Sequence, residues 1–243
     1  MKRFALSAVI LTCLFALPSA AAKAEMTKGE VEKIIESYLM NNGDKILKSV
    51  DDYQRKSIQQ KTDASIKQNA EALFNNPRTP IAGNPDGDVT VVEFFDYNCG
   101  YCKQAFKDIK KLIENDKNVK IVFKELPILG PTSEVAAKWA LAANNQGKYF
   151  AFHEKLMSHN GAKSDAFLEE AAKAVGLDVD KIKADIAGTE ILLQIERERA
   201  LATDMAIGGT PAFLVGEELI PGAVSYDTLK QKVDAARAAK KKQ

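Results

Sequence analysis

A run of seven residues dense in β-branched and aromatic side chains, Val89-Thr90-Val91-Val92-Glu93-Phe94-Phe95, passes through Asp96-Tyr97-Asn98 into a segment that opens on Cys99-Gly100-Tyr101-Cys102. The run reads as a buried strand. The next three residues read as a turn, and the stretch from about Cys99 to Glu114 as a helix. A Cys-x-x-Cys pair can be a redox couple, half of a zinc site or a copper clamp, and its placement narrows the choice. At a helix N-terminus the unpaired backbone N–H groups and the helix dipole favour an anion. They therefore favour the thiolate of Cys99, the species that attacks disulfides. Cys102, one turn further on, is close enough to displace a mixed disulfide. Lys103 either adds to this field or points into solvent.

Other chemistries fit less well. The sequence holds only two histidines, His153 and His159, far along the chain and without zinc-site spacing or a second cysteine pair. Each reads as a helix-surface or capping residue. A Cu(I) clamp between the two thiolates remains chemically open. No resident metal or cofactor is expected, the redox group being the Cys99–Cys102 disulfide itself.

The N-terminus supports the redox reading. Lys2 and Arg3 precede a mostly apolar stretch, Phe4 to Leu17, which Pro18 and Ser19 break before a cluster of small residues. This is the order of a secretory signal peptide, and the apolar run is too short to span a bilayer. Ala22-Lys23-Ala24 fits the small-x-small cleavage rule, which makes residues 1–24 the leader. Cys13 lies inside the apolar run after Thr12, a poor lipidation context, and reads as discarded with the leader. Cys99 and Cys102 are then the only cysteines left, in a compartment where disulfides persist. Their bridge closes a four-residue loop and removes little chain entropy, so chemistry explains it better than stability. Of 34 basic side chains the leader takes Lys2, Arg3 and Lys23, leaving 31 against 33 acids. Such a balance gives no global pull toward nucleic acid or anionic lipid. A soluble exported product is expected.

Three regions follow the leader. From Thr27 to Phe74 the chain is polar and helix-prone, with Val31, Ile34, Ile35, Tyr38 and Leu39 at the spacing of one helix face. Asn41-Asn42-Gly43 ends that helix and Asp44 can cap a second one, apolar at Ile46, Leu47 and Val50 and polar from Ser57 to Asn69. No heptad persists. A short helix with a clean stripe needs a partner surface. Either it lies against the main domain or it meets its copy in another subunit, and the second is the working expectation.

Asn75-Asn76-Pro77 to Asp86-Gly87-Asp88 is turn-rich and marks a boundary. Beyond the first strand and helix, Val119 to Lys124 reads as a second strand, and Thr132 to about Ile207 as helix after helix. Ala212 to Val215 returns to strand, Gly216-Glu217 turns, Leu219-Ile220 pairs back, and Ser225 to Ala239 closes as a helix. A parallel pair with a crossover helix, then an antiparallel hairpin, gives a mixed sheet covered by helices.

The run from Glu93 to Lys103 resembles the active-site strand and helix of the DsbA-like family. A second mark is Gly209-Thr210-Pro211 leading into a strand, which is similar to the family's cis-proline loop facing the cysteines. The resemblance spans roughly Pro80 to Ala239. It implies an α/β thioredoxin fold with a mixed sheet and an inserted helical domain, here preceded by an N-terminal helical segment. It divides the chain into residues 1–24, a helical oligomerisation segment 25–76, and a thioredoxin-type domain 77–243 with its insertion at about 132–207. It also implies disulfide exchange on exported proteins in the periplasm.

Proline, lacking an N–H, leaves backbone groups of Thr210 free for an added substrate strand; a plain turn after Gly208-Gly209 is the competing reading. Glu93, flanked by apolar neighbours, suits proton transfer through a raised pKa or forms a salt bridge with Lys124 on the next strand.

Two details pull the resemblance away from the strong oxidases, which carry proline and histidine between the cysteines. Gly100 and Tyr101 lack the histidine that helps hold the thiolate, which makes the disulfide less oxidising. Thr210 stands where the oxidases often have valine. With the extra N-terminal segment, the chain is similar to the oligomeric DsbA-like proteins of the ScsC type. The expectation is a homo-oligomeric isomerase or reductase acting on misfolded exported proteins, kept reduced by a DsbD-like membrane partner. A dithiol oxidase served by a DsbB-like partner is the alternative, and a Cu(I)-binding copper-tolerance protein the alternative of another class.

Overall fold

The computed structural model describes residues 26–241; the signal peptide expected over residues 1–24 lies outside them. The chain divides into two compact units, the first ending at Asp52 and the second beginning at Tyr53.

The first unit holds helix α1 (Lys28–Asn41) and the opening turns of α2 (Gly43–Gln68). Thr27 starts α1 with a capping box: its hydroxyl accepts the Glu30 N–H while the Glu30 carboxylate accepts the Thr27 N–H at 2.8 Å. The stripe read from the sequence is present, yet α1 buries none of its residues. Ile34, Ile35, Tyr38 and Leu39 are each about half exposed.

In the second unit, β1 (Ile81–Gly83), β2 (Val89–Phe95), β3 (Val119–Glu125), β4 (Ala212–Val215) and β5 (Glu218–Pro221) form one sheet in the order β1-β3-β2-β4-β5. β2 and β3 are parallel, joined through α3 (Gly100–Asn115), and β4 returns antiparallel to β2. Between β3 and β4 lie five helices: α4 (Pro131–Asn144), α5 (Tyr149–Ser158), α6 (Asp165–Ala174), α7 (Val179–Ala187) and α8 (Glu190–Asp204). Helix α9 (Tyr226–Lys240) closes the chain. This is the mixed sheet with a helical insertion expected from the sequence. The short edge strand β1, paired antiparallel with β3, is an addition.

The central strands are apolar because both faces are covered. Val89, Val91 and Phe95 pack with α3, α9 and the insertion, whereas Val92 and Phe94 pack with Ile66, Leu73, Leu201 and Met205 on the other face. Each such fully buried side chain contributes about 1.5–3 kcal/mol. The second cluster draws residues 53–76 into the second unit, although the sequence groups them with the N-terminal segment. Ile66 and Leu73 are buried, and the Thr62 hydroxyl reaches the Met205 carbonyl.

Candidate active site

Strand β2 ends at Phe95, and after three intervening residues Cys99 occupies the N-cap of α3 in an extended conformation. Its sulfur accepts the Cys102 N–H at 3.4 Å, an N-cap bond in which sulfur replaces the usual side-chain oxygen. Both thiols are free, Cys99 6% exposed and Cys102 wholly buried. The less buried sulfur therefore sits at the unpaired N–H groups that open α3, and the wholly buried one lies a turn behind it. Burial, reinforced by the nearby Glu93 carboxyl, pushes the Cys102 thiol far up.

Thr210 lies beside Cys99 at the entry to β4, the strand next to β2. The Thr210–Pro211 bond is cis, and the Cys99 thiol donates to the Thr210 carbonyl at 3.3 Å. Pro211 leads directly into β4. Gly100 has open space around it and Tyr101 is 69% exposed, so neither closes over the sulfur.

Glu93 lies on β2, on the face shared with Val91 and Phe95, opposite Phe123 and Phe213. It is fully buried, and neither carboxyl oxygen has a hydrogen-bond partner. Desolvation pushes its pKa up to about 8. The salt bridge to Lys124 does not form. Lys124 is opposite Phe94, so it points to the other face of the sheet, where its ammonium donates to the Ala72 carbonyl at 2.7 Å and the Thr79 hydroxyl at 2.9 Å.

Behind the turn lies a buried cluster that the sequence did not reveal. The hydroxyls of Tyr97 and Tyr149 both donate to Glu125 Oε1, at 3.0 and 2.8 Å. His153 Nδ1 lies 2.9 Å from the Tyr97 oxygen. The imidazole tautomer sets which of the two donates. Burial holds the imidazole near a pKa of about 3, hence neutral, and raises Glu125 well above the carboxylate range. The expectation of a helix-surface His153 is thus corrected. It is completely buried, because α5 turns Tyr149, Phe152, His153, Leu156 and Met157 into the core, and its ring sits 4.6–4.9 Å from Phe95, Phe106 and Phe123. His159 is the C-cap of α5, and its carbonyl accepts from Lys103 at 2.7 Å and Lys163 at 3.0 Å. The only signal for the cluster was the pair of polar residues, Tyr97 and Glu125, at the ends of apolar strands. Among the described residues no three His, Cys, Asp or Glu side chains are grouped to hold a metal ion.

A family model described as a DSBA-like thioredoxin domain matches residues 90–234. Among curated proteins the chain is 31% identical over 163 residues to the Na(+)/H(+) antiporter NhaA 1 of Salinispora arenicola, a match covering 66% of this chain and 25% of that protein. The chain spans about a quarter of the length of the first curated relatives it matches. Among solved structures it is similar to a thioredoxin-like oxidoreductase from Silicibacter pomeroyi (45% identity, TM-score 0.67, 69% of this chain and 97% of that one). It is also similar to the thiol-disulfide exchange protein alpha-DsbA2 from Wolbachia pipientis (38%, 0.68, 73% and 96%). A linker-deletion mutant of Proteus mirabilis ScsC aligns over 90% of this chain and 100% of that one, at 26% identity and TM-score 0.69.

Proposed function

Because the chain belongs to the family of DSBA-like thioredoxin domains, we propose that it is a periplasmic protein thiol–disulfide oxidoreductase that reduces or reshuffles wrong disulfides in exported proteins. The observation that carries the reading is the asymmetry of the two sulfurs. Cys99 caps a helix beside Thr210 and keeps a small exposed area, while Cys102 is wholly buried with an unpartnered acid close by.

The chemistry follows from that asymmetry. The Cys99 thiolate attacks a substrate disulfide, forming a Cys99–substrate S–S bond and releasing one substrate thiolate. If that thiolate attacks another sulfur of the substrate, Cys99 is released unchanged and the disulfide has moved without net redox change. Otherwise Cys102 gives its proton to the Glu93 carboxylate and attacks the Cys99 sulfur. The substrate leaves as a dithiol, and Cys99 and Cys102 are left as a disulfide. Reversing these steps oxidises a substrate, with protonated Glu93 supplying the proton to the departing Cys102 thiolate. During the mixed disulfide the substrate backbone pairs beside Thr210, where Pro211 offers no N–H.

The direction, correction rather than formation, rests on Gly100, Tyr101 and Thr210, none of which supplies a cation to the thiolate. On this reading a DsbD-like membrane protein keeps the pair reduced. The half-exposed stripe of Ile34, Ile35, Tyr38 and Leu39 supports self-association through α1, which would set several Cys99 thiolates around one substrate. Deleting Met26 to Phe74 should give a lower-mass species by light scattering that reactivates a scrambled disulfide protein poorly. A truncated chain that reshuffles as well as the full one contradicts the oligomeric part of the reading.

A further inference from the structure

Asp96 reads from the sequence only as the first residue of a turn. In the structure it is 1% exposed, and each of its polar groups reaches a different part of the disulfide site. Its N–H faces the Cys102 sulfur. Its carbonyl accepts the Cys99 N–H at 3.1 Å. Its carboxylate accepts four hydrogen bonds: Oδ1 from the Asn98 N–H and the Ser133 hydroxyl, both at 2.7 Å, and Oδ2 from the Ile128 and Leu129 N–H groups, both at 2.9 Å. One residue thus ties the Cys99 backbone and the Cys102 sulfur to the loop after β3 and to the first turn of α4.

Four donors and no acceptor face this side chain. A carboxylate satisfies all four, whereas an amide turned either way sets its own NH2 against donors. A turn needs no such group, since serine or asparagine serves there equally well. The carboxylate is a buried negative charge three residues ahead of Cys99, and it opposes the thiolate that the α3 N-terminus favours. The other titratable groups around the turn are Glu93 on β2, Glu125 at the end of β3, which Asp96 pushes further up, Lys103 on α3, and Lys163 in the loop between α5 and α6, whose charge Asp96 helps hold.

We propose that Asp96 is a positioning residue of the disulfide site. It fixes the turn that carries Cys99, and its hydrogen-bonded charge restrains the thiolate and keeps the pair toward the reducing end. This deepens the thiol–disulfide reading above and rests on it. It also names what, besides the missing histidine between the cysteines, would make the site a weak oxidant.

The test uses the full mature chain, with the pH profile of Cys99 alkylation by iodoacetamide and the equilibrium with glutathione as readouts. Asp96→Asn removes the charge and should move the alkylation midpoint down by about half a pH unit or more, making the pair about threefold or more easily reduced by glutathione. Ser133→Ala removes one donor from the carboxylate and leaves its charge less compensated, so it should move the midpoint the opposite way, by a few tenths of a unit. Opposite shifts support the proposal. A fall in Tm with both profiles unmoved, or shifts in the same direction, overturns it. If Asp96→Asn does not fold, Ser133→Ala decides alone: an upward shift supports, and no shift or a downward one overturns. Failure of the disulfide reading is separately visible as absence of exchange with glutathione, since alkylation reports the thiolate whatever the activity.

Discussion

Glu93 carries an electrostatic cost at the centre of the site. Its pKa in the folded chain is about 8 against an ordinary 4.5, because burial desolvates the carboxyl and no hydrogen bond to either oxygen offsets that. An acid raised in this way gives stability that is fully present below about pH 4.5 and lost as pH rises through about 8. By pH 7 the loss is about 3 kcal/mol. Glu93→Gln should therefore be more stable than the native chain in urea at pH 7, with the difference shrinking toward pH 4.5. The same variant should lose on the order of 100-fold in the Cys102-dependent step. A variant that is less stable at pH 7 would mean that the carboxyl has a stabilising partner. That Cys99 and Cys102 open a helix after a strand was legible from the motif and its strand signal, and that Thr210 comes beside Cys99 was implied by the resemblance of Gly209-Thr210-Pro211 to the family's loop. Tyr97, Glu125, Tyr149 and His153 were not legible, because their cluster joins two strand ends to a helix, with Tyr97 and His153 56 residues apart. No local pattern marks a histidine whose neighbours are brought by tertiary packing.

The elements followed their periodicity where burial was one-sided or complete. β2, α3, β3, the β4–β5 hairpin and α9 lie close to where the sequence puts them. β1 is three residues at an edge, too short for an alternation to show. The polar half of α2 misled for a different reason. Thr62 and Ser65 are small enough to be buried beside Ile66, so polarity there signals close packing rather than solvent. Lys124 belongs to the same face. Its ammonium holds the Ala72 carbonyl and the Thr79 hydroxyl, which fastens the π-helical turn Glu71–Asn75 to the sheet. Replacing it by methionine fills the space but leaves those two acceptors unmet. Lys124→Met should lower unfolding free energy by about 2 kcal/mol, as read from the urea midpoint. An unchanged midpoint would show that these bonds contribute nothing net.

Across the whole molecule, the second unit holds Cys99, Cys102, Glu93 and the Thr210–Pro211 loop, and the first holds α1 with its half-exposed apolar stripe. No helix among the described residues is long and apolar enough to cross a membrane. The proposed direction of the chemistry is tested most directly by the redox state of Cys99 and Cys102 in the cell. Cells expressing the full chain would be acid-quenched and their thiols labelled with a mass-tagged maleimide. Most of the protein should carry two labels, the reduced pair an isomerase or reductase needs. A population found mostly as the unlabelled disulfide would contradict this direction and make the protein an oxidase.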